Sequence, residues 1–216
     1  MAEMKNIAFW EELLKNTPDS YREWFMQEKN YLRNIINKNS KVLDIGCGNG
    51  RTLNDISDIT QNIFGIDNEN KSVEDAKKNL KLITNAQILL ANARNLPFEN
   101  NFFDFVLCMG TFANFGNYKF KILTEMKRVL KNDGFIILSV FSENAFDERM
   151  KVYKNLNAPI KKVNGTTVFF DFEPEGENIS EQFSQKDLEL IVMKSDLKIL
   201  DIKKVGIAYL CKLGKK

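Results

Sequence analysis

Between residues 41 and 141 short apolar runs alternate with amphipathic stretches. Residues 41–45, 62–66, 86–91, 102–109 and 135–141 read as buried strands. Residues 50–59, 72–82 and 118–130 read as helices, with Val73, Ala76, Lys77 and Leu80 in step in the second. Ile122, Leu123, Met126, Val129 and Leu130 share one side of the third. Asn132-Asp133-Gly134 reads as a turn into the last strand of the series. This alternation predicts a doubly wound α/β fold, a parallel sheet with helices on both faces and right-handed crossovers.

The flanks differ in texture. Trp10, Leu13 and Leu14 recur at helical spacing. Pro18 suits the first turn of a second helix. Tyr21, Trp24, Phe25, Glu28, Tyr31, Leu32, Ile35 and Ile36 give that helix a largely apolar, aromatic face. Beyond the fifth strand, 142–153 reads as a helix, 165–172 as β-rich and 173–177 as an acidic turn. Residues 184–194 read as a helix capped by Ser184, with Asp187 in a capping-box place. The last strand falls within 197–210. With no repeat or low-complexity linker, the expectation is one domain, 1–216: an N-terminal helical lid (1–40), a binding core (41–141) and a C-terminal part completing the sheet (142–216).

Composition narrows the chemistry. The 216 residues are 44% hydrophobic and 28% charged, an ordinary globular balance. The net charge is only +2, which argues against a dedicated nucleic-acid binder. There is no histidine, so imidazole triads, bases and metal ligands are excluded. Cys47, Cys108 and Cys211 are scattered, without a Cys-x-x-Cys pair. No metal site is expected, and the thiols read as reduced and the chain as cytoplasmic. No signal-peptide pattern is visible at the start. No stretch approaches the roughly 20 apolar residues of a membrane span.

The candidate chemistry centres on Val42 to Gly50. A parallel strand delivers the chain to the C-terminal sheet edge, where ligands bind in open α/β sheets. Gly46, Gly48 and Gly50 permit positive φ and close ligand approach, and the helix that follows presents free N–H groups. A dinucleotide fingerprint needs a glycine at position 51, which is Arg51. Asp44 can accept hydrogen bonds from a positively charged ligand end or from loop amides. Asp67 follows Gly46 by 21 residues, in register to accept ribose hydroxyls or to cap the next helix.

These motifs resemble the class I S-adenosylmethionine-dependent methyltransferases, of the small-molecule, ubiquinone-biosynthesis-like type. Val42–Gly50 resembles the first motif, Phe64–Asp67 the second, Ala91–Phe98 the third and Phe102–Cys108 the fourth. Glu125–Gly134 resembles the segment before strand five. Where relatives usually carry Asp for the adenine amino group, this chain has Asn92. The resemblance implies a seven-stranded Rossmann-like sheet with the last strand antiparallel beside strand five. It implies S-adenosyl-L-methionine as cofactor, held by Asp44, Gly46, Cys47, Gly48 and Gly50. Asp67, Asn68, Asn92, Ala93 and Cys108 complete the implied set.

Methyl transfer from a sulfonium needs alignment and water exclusion more than a catalytic group. The expected activity is transfer to a small-molecule N or O acceptor. Met109–Gly116 resembles the acceptor segment of small-amine N-methyltransferases. Thr111 and Asn114 are candidates to hydrogen-bond the acceptor, and Phe112 and Phe115 to wall it or fill the core. Glu143 is the candidate carboxylate for a cationic acceptor. Tyr21, Trp24, Glu28 and Tyr31 are candidates to close over the cofactor or pack on the sheet edge, and Arg22 or Arg33 to pair its carboxylate. Cys108 lacks the preceding proline of a pyrimidine-attacking nucleophile, and the Asn/Asp-Pro-Pro-Tyr/Phe motif for base amines is absent. The expected partner is a small methyl acceptor, with no membrane, and the chain a monomer or homodimer. The alternatives are a methyltransferase for RNA or protein, which a basic stretch at Lys151, Lys154, Lys161 and Lys162 would serve, and a non-catalytic cofactor-binding module. Arg51 counts against a nicotinamide oxidoreductase.

Overall fold

A computed structural model describes residues 17–60, 62–83, 86–171 and 178–216. The expectations for Trp10, Leu13 and Leu14 and for the turn at 173–177 lie outside the described residues. Helix α1 (Asp19–Ile35) starts where the carbonyl of Pro18 accepts from Tyr21 and Arg22. Pro18 is thus the cap itself, one position before the first turn. Strand β1 (Val42–Ile45), helix α2 (Arg51–Ile56), strand β2 (Ile63–Asp67), helix α3 (Asn70–Asn79) and strand β3 (Gln87–Leu90) follow. Strand β4 (Phe103–Met109) leads through two short 3₁₀ turns to helix α4 (Lys119–Val129) and strand β5 (Leu130–Phe141). Next come helix α5 (Phe146–Asn155) and strands β6 (Ile160–Asn164), β7 (Thr167–Phe170) and β8 (Ile179–Ser180). Helix α6 (Gln185–Lys194) and strands β9 (Leu197–Val205) and β10 (Ala208–Lys215) complete the chain.

The main sheet has seven strands in the order β3-β2-β1-β4-β5-β10-β9, and β10 alone runs antiparallel. Alternate residues bury opposite faces, as expected for strands covered on both sides. Val42, Ile63, Leu107 and Ile137 pack with Leu32, Leu53, Ile56 and Ala76. Leu43, Val106, Cys108 and Leu138 pack with Leu123, Met126, Leu188 and Val192. Strand order reverses between β1 and β4, which opens a crevice at their C-terminal ends. Among the described residues no helix is long and apolar enough to cross a membrane.

Three expectations are corrected. Asn132-Asp133-Gly134 is not a turn but lies inside β5. Gly134 is there for packing: a Cβ would stand 2.8 Å from the Asp104 carbonyl, beside a register shift between Phe103 and Phe105. The β-rich stretch near 165–172 does not join the main sheet; β7 pairs with β6 and β8 in a separate three-stranded sheet. The tail supplies two strands, β9 and β10, reversing at Gly206 with φ +56°. At α6 the Ser184–Asp187 capping box is formed.

Candidate functional site

A cavity of about 830 Å³ opens at the C-terminal ends of β1, β2, β4 and β5. Its floor is the glycine loop. Gly46 and Cys47 both donate to the Ile66 carbonyl at 2.9 Å, which folds the loop back on β2. Gly46 has φ +69°, and a Cβ there would lie 2.4 Å from Cγ2 of Thr111. The Thr111 hydroxyl donates to the Gly46 carbonyl at 3.1 Å, so Thr111 clamps the loop as well as lining the cavity. Gly48 lines the cavity with open space where a Cβ would go. Gly50 does not line it; it caps α2 and packs on Leu80 and Ala76 of the following helical segment.

Asp67 joins the loop to the next turn. Its Oδ2 accepts from Gly48 N at 2.9 Å and its Oδ1 from Glu69 N at 3.0 Å. Burial raises its carboxyl, and these backbone donors work against that. Asp67 therefore does serve the start of α3, and each oxygen keeps lone-pair capacity toward the cavity. Asp44 is buried, and its Oδ1 has no hydrogen-bond partner. Burial pushes its carboxyl up to about 8, while Arg51 pulls it down.

Arg51 is the site residue the sequence reading missed. Its Nη2 donates to Oε2 of Glu28 at 2.7 Å, and its guanidinium stacks 4.0 Å from the Phe25 ring centroid. Among the described residues its Nη1 makes no hydrogen bond, and it pairs loosely with Asp55 at 3.9 Å. In the sequence Arg51 stands only where a dinucleotide loop would carry glycine. The available signal was Glu28, an acid on the apolar face of α1 that needs a cation. Arg22 and Arg33 are instead engaged on the exposed surface, with Asp19 and Asp58.

Asn68, Asn92 and Ala93 line the cavity. The Asn92 Oδ1 accepts from both the backbone N and Nε of Arg94, so its acceptor side is already used. Cys47 lines the cavity with its thiol pushed up by burial. Cys108 does not reach it: the side chain is wholly buried in β4 and its thiol is likewise raised by burial.

Helix α1 roofs the other end. Its Leu32 packs on the sheet face, whereas Tyr21 and Trp24 meet Phe141 at the end of β5. Trp24 Nε1 donates to Ser139 Oγ at 2.6 Å. Tyr21 is 1% exposed, its hydroxyl has no hydrogen-bond partner among the described residues, and burial holds it un-ionised well above the usual tyrosine range. Tyr31 lies away from the cavity, bonded at 3.5 Å to Asp201. Asn114 and Phe115 line the cavity, and the Asn114 Oδ1 is buried without a partner. Phe112 is core. Phe170, Asn178 and Ile179 of the small-sheet region line the far wall, which the sequence reading did not anticipate. Glu143 is not in the cavity: it pairs with Lys204 at 2.9 Å and accepts from Tyr209, and Lys204 holds its carboxyl below the usual range.

Residues 36–197 match the family model described as a methyltransferase domain. An uncharacterized protein of Methanocaldococcus jannaschii is 32% identical over 72% of this chain and 58% of its own length. A demethylmenaquinone methyltransferase of Staphylococcus saprophyticus is 31% identical over 65% of this chain and 60% of its own. The chain thus spans about three-fifths of these curated relatives. A crystal structure described as a SAM dependent methyltransferase from Aquifex aeolicus shares the fold at a TM-score of 0.67 and 20% identity, covering 94% of this chain and 96% of that one.

Proposed function

We propose, on the premise that this chain belongs to the methyltransferase-domain family, that it transfers a methyl group from S-adenosylmethionine to an N or O atom of a small molecule. The observation that carries the reading is one cavity lined by two residues of opposite character, each with a buried polar atom that makes no hydrogen bond among the described residues, Asp44 Oδ1 and Arg51 Nη1, beside the glycine loop and Asp67. An amino-acid end needs such a pair, a carboxylate for its ammonium and a guanidinium for its carboxylate. Asp67, with its remaining lone pairs, suits ribose hydroxyls. Asn92 keeps its amide donor for the adenine end.

When bound, this cofactor supplies an electrophilic methyl carbon on a sulfonium. The chain's own residues position and desolvate. Tyr21 and Trp24 of α1 exclude water from above, and Phe115, Phe141 and Phe170 wall the acceptor end. Asn114 offers that end a hydrogen-bonding side chain. A cavity roofed by α1 suits a small acceptor better than a polymer strand, which places RNA or protein second. Methylation of a quinone-type ring is a further reading, favoured by the aromatic walls and by the name of the Staphylococcus relative.

Calorimetry with S-adenosylhomocysteine and with NAD tests the cofactor. The adenosyl ligand should bind and NAD should not; the reverse result sinks the proposal. Incubating the chain with labelled cofactor and a cell extract, then finding the label on a small molecule rather than on RNA or protein, tests the acceptor class.

A further inference from the structure

Asp44, Asp67 and Glu69 line the glycine-loop end of the cavity together with the cations Arg51 and Arg94. Behind the opposite end lies Arg149, 0% exposed. Its Nε donates to the Tyr153 hydroxyl, Nη1 to the Thr166 carbonyl and Gln182 Oε1, and Nη2 to the Ser180 carbonyl and hydroxyl. All five N–H bonds are used, and every acceptor is uncharged. Among the described residues the acids nearby are turned elsewhere: Glu148 accepts from Ser20 at 3.3 Å and Glu181 pairs with Lys119 at 2.8 Å. A buried cation whose described partners are all neutral is costly, and its field reaches whatever occupies the space beside it.

That space is the acceptor end. The Arg149 guanidinium lies 4.9 Å from the Phe141 ring centroid, and the Tyr21 ring packs on the same phenylalanine at 5.8 Å. Phe141, Tyr21, Phe170 and Ile179 all line the cavity, so the cation stands one ring behind its wall. The Tyr21 hydroxyl is buried at that wall and makes no hydrogen bond among the described residues.

Resting on the methyl-transfer reading, we propose that the acceptor is a small aromatic molecule that enters as an oxyanion, that Arg149 is the positioning cation selecting it, and that the Tyr21 hydroxyl donates to its oxygen. The aromatic walls take the ring. The phenolic proton is lost to solvent before the ring enters, so no protein base is required. An oxygen lone pair of the acceptor forms the new carbon–oxygen bond as the carbon–sulfur bond breaks, and that bond's electron pair stays on sulfur. The products are a neutral aryl methyl ether and a neutral thioether. A neutral product loses the attraction of Arg149, which favours its release.

The test is equilibrium binding of three matched probes to the full chain saturated with S-adenosylhomocysteine: 4-nitrophenol at a pH where it is ionised, nitrobenzene, and 4-nitrobenzylammonium. The anion should bind about tenfold tighter than nitrobenzene, the scale of one partly screened charge several ångströms away. The nitrophenolate absorption band should show the bound phenol ionising at lower pH than the free one. Arg149→Met should abolish the preference for the anion while S-adenosylhomocysteine affinity holds, and Arg149→Lys should restore part of it. If Arg149→Met fails to fold, the wild-type spectral shift and Tyr21→Phe, which should weaken the phenolate alone, decide the matter. Equal or tighter binding of the neutral or cationic probe, a preference that survives Arg149→Met, or no binding of any probe overturns the proposal. Failure of S-adenosylhomocysteine itself to bind counts against the methyl-transfer reading instead.

Discussion

Arg51 Nη2 donates to Glu28 Oε2 at 2.7 Å, and this one contact ties the roof helix to the glycine-loop floor. Glu28 is 1% exposed, so its charge depends on Arg51 for compensation. Stranding a buried charge by deleting its partner costs about 3–5 kcal/mol, more than the net value of the pair itself.

Arg51→Met should therefore destabilise the chain by about 3 kcal/mol, the low end of that range because Arg51 is a quarter exposed. Restoring neutrality with Glu28→Gln in the same chain should recover much of the loss. Urea unfolding of the two single variants and the double variant measures the coupling; additive losses would deny it.

Asp44 gives a pH signature. Its folded-state value of about 8 lies above an unfolded value of about 3.9. Between those values the unfolded chain gives up a proton that the folded chain keeps, so stability falls as pH rises through about 4 to 8. Above about 8 the buried charge is present in full. Asp44→Asn should flatten this profile and leave the variant more stable than wild type above pH 8, checked by urea unfolding across pH. An ammonium docking on Asp44 would also expel its proton. Calorimetry with S-adenosylhomocysteine near pH 7, repeated in buffers of different ionisation enthalpy, should then show proton release.

Asp67 holds the loop through Gly48 and Glu69 as well as facing the cavity. Asp67→Ala should weaken S-adenosylhomocysteine binding by about 1–3 kcal/mol through unpaired ribose hydroxyls. Unchanged affinity by calorimetry would remove the ribose role.

Gly46 and Thr111 form a steric pair. Gly46→Ala places a Cβ against the threonine side chain at a positive φ, and should cost about 2–3 kcal/mol from backbone strain and overlap together. Thr111→Ala removes the two closest atoms, Cγ2 and Oγ1, but neither the Cβ at 3.0 Å nor the strain, so it should rescue Gly46→Ala only in part. Thermal unfolding of both singles and the double reads this directly, and full rescue would show that φ at residue 46 carries no penalty.

The cavity-lining loop was legible because its demands are local. Gly46 and Gly48 need positive φ, Asp67 sits one strand away in register, and alternation of strands with helices fixes where the loop must lie. The same locality explains the errors. A glycine after Asn132-Asp133 looks like a turn, yet Gly134 answers to a carbonyl on the neighbouring strand. Gly50 and Cys108 belong to the motif in sequence but face packing neighbours, because side chains alternate along strands and twist off around loops. Glu143 follows β5 closely but turns to Lys204 on β9, a strand sixty residues downstream.

By itself the sequence determined the order of elements as far as β5, the doubly wound sheet and the place of the glycine loop in it, since periodicity and backbone conformation are written in neighbouring residues. Only the tertiary structure decided which charges meet. Glu28 and Arg51 come together because α1 crosses the sheet face to reach the crevice, and Arg149 stands behind Phe141 because a second small sheet closes over α5. Such pairings depend on burial and on elements far apart in the chain, where an ion's partner is chosen by the shape of the space that excludes water.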